Sequence, residues 1–170
     1  MLLIKKVIIL ILVTFIPALE LRASIPLGIL SGRIDLPFGL ELQGFGLNWP
    51  LVFLVCVITN IILGPIIYLI INKFIHRITK YRIFSVPYQK IVTRTQRKIE
   101  KYTEKYGEWA IALFIGIPLP GSGSYTGALA ACLIGLKFKK FIISNIIGNL
   151  IAGTIVTIVT LISLGVVSLF

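Results

Sequence analysis

Two stretches of this chain run without a charged side chain for longer than the core of a water-soluble domain requires. Trp49 to Asn72 covers 24 residues and Phe141 to Phe170 covers 30. As a helix the first would measure roughly 36 Å, against a bilayer hydrocarbon core of about 30 Å. Both are expected to span a membrane. Composition agrees: 57% of the 170 residues are apolar and 14% charged, where soluble domains carry about 45–50% and 25%. Hydropathy excludes intrinsic disorder, and two Cys exclude a disulfide scaffold. The size permits one membrane unit, 1–170.

Charge then orients the spans. Residues 73–108 hold ten Lys and Arg against Glu100, Glu104 and Glu108, and Lys137, Lys139 and Lys140 form a second basic block. Together they supply +10 of the net +11. Basic blocks mark the cytoplasmic side, so 49–72 runs inward and 141–170 outward. The segment 109–136 lies between two inside-type blocks and reads Gly116-Ile-Pro-Leu-Pro-Gly-Ser-Gly-Ser-Tyr-Thr-Gly127 at its centre. Pro118 and Pro120 lack N–H groups, and four Gly lie within twelve residues, so no continuous helix is expected there. Each apolar arm is nine residues, roughly 14 Å or half a bilayer. A re-entrant hairpin from the cytoplasm satisfies both facts; a kinked single span is the alternative.

A related pattern occurs earlier. Ile25-Pro26-Leu27 recurs as Ile117-Pro118-Leu119, and Ile58-Thr-Asn60-Ile-Ile as Ile143-Ser-Asn145-Ile-Ile. With the two long helices running oppositely, the expected architecture is an all-α integral membrane protein, an inverted repeat of a re-entrant or broken hairpin plus a transmembrane helix. Such repeats point to transporter sites at the midplane. Segment 7–30 is then either a hairpin entering from outside or a broken in-to-out helix. A signal peptide ending near Ala23 is a third option, disfavoured by Glu20, Leu21 and Arg22 where small neutral residues belong.

Glu20 and Arg22 sit beside the expected break at Pro26 and Gly28. Charges in a membrane segment mark function by default, although both side chains could instead snorkel to the interface. Taking a carboxylate out of water favours its protonated form, which suits Glu20 to proton exchange, and Arg22 is a fixed cation for phosphate or carboxylate. In the second half, Gly121, Ser122, Gly123, Ser124 and Thr126 supply backbone N–H groups, hydroxyls and the start of a half-helix, and a half-helix N-terminus attracts anionic groups. Asn60 and Asn145 place amides in the spans, first as interhelical packing and then as pathway lining. Residues 88–108 form an amphipathic helix suited to anionic lipid. Cys56 and Cys132 read as core residues and His76 as a loop residue. Metal-ligand spacing, a phosphate loop and a nucleophile–base set are all missing, so no metal, cofactor, nucleic acid or enzymatic activity is expected.

At Glu20-x-Arg22-x-x-x-Pro26-x-Gly28, and from Gly107 and Phe114 through Ile117-Pro-Leu-Pro-Gly-x-Gly-x-x-Thr-Gly127, the chain resembles the small multidrug export protein family of prokaryotic membrane proteins. The resemblance covers about 10–165 and implies export of small toxic compounds. More remotely, Pro118 to Gly121 is similar to the hairpin motif of the DedA superfamily, linked to lipid-carrier translocation; there an acidic residue follows the motif, and here Ser122 does. The expectation is a small, multi-pass cell-membrane transporter, homodimeric, proton-coupled, and acting on a small or amphiphilic molecule. The alternatives are a translocase of a phosphate-headed lipid carrier, and a scaffold or insertion factor working through 73–108.

Overall fold

A computed structural model describes residues 2–17, 19–36, 40–79, 106–119 and 121–167. The chain forms α1 (Leu2–Thr14), α2 (Glu20–Ile29), β1 (Ser31–Leu36), β2 (Leu40–Phe45), α3 (Trp49–Thr79), α4 (106–116), α5 (Ser124–Leu133) and α6 (Phe138–Val167). The order helix, break, helix, long helix therefore occurs twice. Among the described residues only the first half inserts an antiparallel β-ribbon before its long helix, with Ser31 opposite Phe45 and Leu36 opposite Leu40. The sequence reading contained no strands.

α3 and α6 are long and apolar enough to cross a membrane, over Trp49–Phe74 and Phe138–Gly165. Both helices turn large apolar side chains outward, as a protein surrounded by lipid does. Leu51, Leu54, Ile58, Ile62, Ile66 and Leu69, spaced three or four apart, form an exposed stripe on α3. Ile151, Ile155, Ile158 and Ile162 do the same on α6. The opposite faces bury Asn60, Asn145, Asn149 and Thr157. Apolar stripes of this length are not left facing water on monomeric soluble proteins.

The two long helices run antiparallel. Tyr68, late in α3, donates its hydroxyl to Leu136 O just before α6, and its ring stacks on Phe141 at 4.9 Å. Gly153, further along α6, packs against Val57 and Phe53, near the start of α3. One contact explains an apparent defect in α3. Pro65 has no N–H to give the carbonyl of Ile61 four residues back; Asn145 Nδ2 donates to that carbonyl at 3.0 Å instead. Gly64 makes the room, since a Cβ there would sit 2.3 Å from Asn145 Oδ1. Freed backbone groups in apolar surroundings must be satisfied by a neighbouring helix, and Asn145 does this.

Each short pair of helices doubles back. Lys6 Nζ in α1 donates to Phe45 O at 2.8 Å, and at the end of α2 Leu30 O accepts from Gly46 N. Both ends of 2–30 thus meet the β-ribbon. In the second half, Ser144 Oγ on α6 donates to Glu108 O at the start of α4, while the end of α5 leads through a short turn directly into α6. Both ends of 106–136 meet at the other end of the molecule. The breaks include the described residues 15–17 and 19, with Pro17, and 117–119 and 121–123, with Pro118.

This corrects one expectation. Pro26 and Gly28 do not form a break; they lie within α2. Pro26 is therefore not the counterpart of Pro118. Gly28 serves packing, because a Cβ there would be 2.5 Å from Val52 Cγ1 and 3.2 Å from Leu10 Cδ1. The expected basic helix 88–108 falls mostly outside the described residues, which include only 106–108 of it.

Candidate functional site

The two breaks face each other at the middle of the long helices. Asn60 is eleven residues past Trp49 and Asn149 eleven past Phe138, about 17 Å along each helix. Glu20 opens α2 in a positive-φ conformation, 41°, which among the described residues no other non-glycine adopts. A non-glycine in that region costs of order 1–3 kcal/mol and persists where its surroundings impose it. Here the carboxylate is 7% exposed and is fixed from three directions. Oε2 accepts from Ser124 N at 3.1 Å and from Asn60 Nδ2 at 3.2 Å, and Oε1 accepts from Tyr125 N at 3.4 Å. Ser124 and Tyr125 are the first residues of α5, whose N-terminal N–H groups have no intrahelical partner. Glu20 supplies one from the opposite half of the chain, and its negative charge sits where the α5 dipole is positive.

Gly123 permits this approach. It holds φ at +149°, and a Cβ there would lie 2.4 Å from Glu20 Oε2. Arg22, two residues further along α2, donates through Nη2 to both the carbonyl and the hydroxyl of Ser122 in the second break, the latter at 2.8 Å. Tyr125 completes the interlock, its hydroxyl donating to Phe15 O in the first break at 2.5 Å. Thus the carboxylate and guanidinium of one half each engage the interrupted segment of the other.

Behind Glu20 lies a buried amide network. Asn60 Nδ2 donates to Asn149 Oδ1 at 2.7 Å, and Asn149 Nδ2 donates to Ser124 Oγ at 3.0 Å and Asn145 Oδ1 at 2.9 Å. Asn60 Oδ1, in a residue 1% exposed, has no hydrogen-bond partner. A crevice lined by Glu20, Arg22, Asn60, Pro118, Gly123 and Asn149 opens beside these groups, closed off by apolar neighbours including Ile115 and Val156. It has room for about one water molecule, far less than the roughly 300 Å³ of a small-molecule pocket. The arrangement is closed.

The sequence-derived residues divide clearly. Glu20, Arg22, Asn60, Pro118, Ser122, Gly123, Ser124 and Asn145 come together. Pro26 and Gly28 belong to the body of α2. Thr126 Oγ1 donates only within its own turn, to Gly123 O. Gly121 is an exposed turn residue at φ +86° with nothing near its Cβ position. Pro120 lies outside the described residues. Sequence reasoning did not place Tyr125, Phe15 or Pro17 at the site, and it kept Asn149 out of the binding set. The four-residue step from Asn145 to Asn149 was the available signal, since it puts both amides on one helix face. Among the described residues no group of three His, Cys, Asp or Glu could hold a metal ion.

The sequence model of a family described as "Putative small multi-drug export protein" matches residues 20–155, a span that opens on Glu20 and includes Arg22, Asn60, the second break and Asn149. No curated protein and no solved structure matches the chain.

Proposed function

Since the chain belongs to the small multi-drug export protein family, we propose that it is a small multi-pass cell-membrane transporter, not an enzyme, performing proton-coupled export or translocation of a small or amphiphilic molecule. The observation that carries this reading is Glu20, a buried carboxylate at mid-helix depth, held by N–H donors of the opposite half. Every donor aimed at it suits an ionised acceptor. Protonation would put an O–H where three N–H groups now point, so gaining a proton loosens the contact between the two halves.

In this reading the hairpins 2–30 and 106–136 are re-entrant from opposite faces, and the two halves form an inverted repeat. Alternating access is movement of one half against the other about the facing breaks, as in transporters of that architecture. The closed crevice is then one end of the cycle. A homodimer and contact of the basic 88–108 region with anionic lipid remain part of the proposal. The test is reconstitution of wild type and Glu20→Gln in vesicles under a proton gradient. Wild type should move substrate in response to the gradient and the variant should not; equal gradient-driven transport in both refutes proton coupling at Glu20.

A further inference from the structure

We infer that the crevice between the breaks takes an anionic group, a phosphate ester or a carboxylate, in exchange for the Glu20 carboxylate, and that one proton enters with it. This rests on the proton-coupled reading and adds the class of substrate to it.

The surroundings of Glu20 are electrostatically positive. Arg22 lies on its own helix, and the N-terminus of α5 faces it with the N–H groups of Ser124 and Tyr125. Among the described residues the other elements packed on Glu20 bring no charge: α3 presents Asn60, α6 presents Asn149, and the remaining titratable neighbour is the Tyr125 phenol, which is engaged with Phe15 O. A cation brought to this place meets Arg22 and a helix N-terminus. An anion meets the donors that Glu20 already demonstrates can hold a carboxylate.

A second, separate feature shows where the displaced proton-bearing acid goes. Asn60 lines the crevice, is 1% exposed, and its Oδ1 is a buried acceptor with no donor. Buried acceptors are rarely left idle. With Glu20 ionised, Asn60 uses only its Nδ2–H. With Glu20 protonated, the new O–H is a donor in need of an acceptor, and Asn60 Oδ1 is the free one beside it. The carboxyl can turn from the α5 N–H groups to Asn60 and leave those N–H groups and Arg22 to the incoming anion.

Charge balance fixes the stoichiometry. In the closed state Glu20 and Arg22 sum to zero. Protonation alone gives +1, and an anion alone gives −1. A proton with a monoanion restores zero. Uncompensated charge is costly at this depth, so the two loads enter and leave together. The anion therefore moves in the direction of the proton, which selects translocation over export from the proposed function wherever the proton gradient points inward.

The test uses three soluble probes sharing a hexyl chain: hexyl methyl phosphate, a monoanionic diester; hexanoate; and hexyltrimethylammonium. Each is titrated into the full chain in lipid nanodiscs, with empty discs as reference. Proton uptake is read by calorimetry in two buffers of different ionisation enthalpy. The expected result is binding of one or both anions with uptake of about one proton, tightening at least tenfold from pH 8 to pH 6, and no binding of the cation. Which anion binds decides between phosphate and carboxylate. Glu20→Gln, already uncharged, should bind the same anion with no proton uptake and no such pH dependence. Cation binding with proton release, or no anion binding at all, overturns the anion site while leaving proton coupling to the transport experiment above. Anion binding without proton uptake in wild type overturns the exchange mechanism, and with equal gradient-driven transport by Glu20→Gln it removes the proton-coupled reading as well.

Discussion

Replacing Gly123 by Ala should damage this protein more than the same change two residues earlier, and the difference measures the contact on which the site depends. Both glycines have positive φ, +149° and +86°. The Gly123 conformation, φ 149° and ψ −172°, is one that glycine alone occupies readily, and forcing another residue into such a region costs about 1–3 kcal/mol. Gly121→Ala incurs a backbone cost of that order and nothing more, because no atom lies within 4 Å of its Cβ position. At Gly123 the added methyl would stand 2.4 Å from Glu20 Oε2 and 2.8 Å from Cδ. The carboxylate must move, and in moving it leaves Ser124 N, Tyr125 N and Asn60 Nδ2. Polar bonds inside membrane proteins measure about 0.6–1.7 kcal/mol each, so three of them come to about 2–5 kcal/mol. At about 2–4 °C per kcal/mol for a chain of this size, Gly123→Ala should melt about 4–20 °C below Gly121→Ala in detergent. Proton-driven transport should fall in the same order, although Glu20 and Arg22 are both intact. Equal melting temperatures for the two variants would refute the claim that Glu20 is held against α5 through a gap that only glycine leaves.

The amide network makes a parallel prediction. Asn149→Leu removes one acceptor of Asn60 Nδ2 and the donor to Ser124 Oγ, both in buried residues, at about 0.6–1.7 kcal/mol for each bond lost, since Asn60 keeps Glu20 Oε2 and Ser124 Oγ keeps Asn145 Oδ1 as partners. Thermal denaturation should show that loss against Thr154→Ala, an exposed position expected to change stability by less than about 0.5 kcal/mol; indistinguishable melting would show that the network contributes nothing. Hairpin geometry is checked by single cysteines at Lys5, Tyr106 and Lys139 in a background with Cys56 and Cys132 replaced by Ala. An impermeant thiol reagent should reach Tyr106 and Lys139 from one face of the membrane and Lys5 from the other, and labelling of Tyr106 and Lys139 from opposite faces would exclude re-entry of 106–136.

The long spans, their opposite directions and the interruption before Ser124 were legible in the linear chain, because each follows from a local property. Thirty residues without a charge exceed any other need, basic blocks report sidedness, and two prolines with four glycines forbid a helix whatever surrounds them. Glu20 and Arg22 stood out for a similar reason, as charges in an apolar stretch. The β-ribbon at 31–45 had no comparable local signal, since it depends on pairing between two short polar strands.

The placement of the first break was misread for a physical reason. Pro26 carries the same Ile-Pro-Leu context as Pro118, yet a proline within a short helix can be tolerated when neighbouring helices support it, and α2 packs against α1, α3 and α6. The break lies instead at Ile16-Pro17, whose resemblance to Ile117-Pro118 is shorter. Asn145 was likewise visible only as a polar residue in a span. That it supplies the hydrogen bond withheld by Pro65, 80 residues away, appears only when α3 and α6 are side by side.

The sequence by itself determined two oppositely directed helices long and apolar enough to cross a membrane, with interrupted segments beside them, because hydropathy, charge bias and helix-breaking residues act over a few residues at a time. The tertiary structure alone decided what the interruptions are for. Glu20 and Ser124 are 104 residues apart, and nothing local predicts that the carboxylate of one break caps the half-helix of the other. That pairing arises because α1–α2 and α4–α5 each double back and their breaks meet beside Asn60 of α3 and Asn149 of α6. There the unsatisfied N–H groups of α5 and the buried charge of Glu20 each supply what the other lacks.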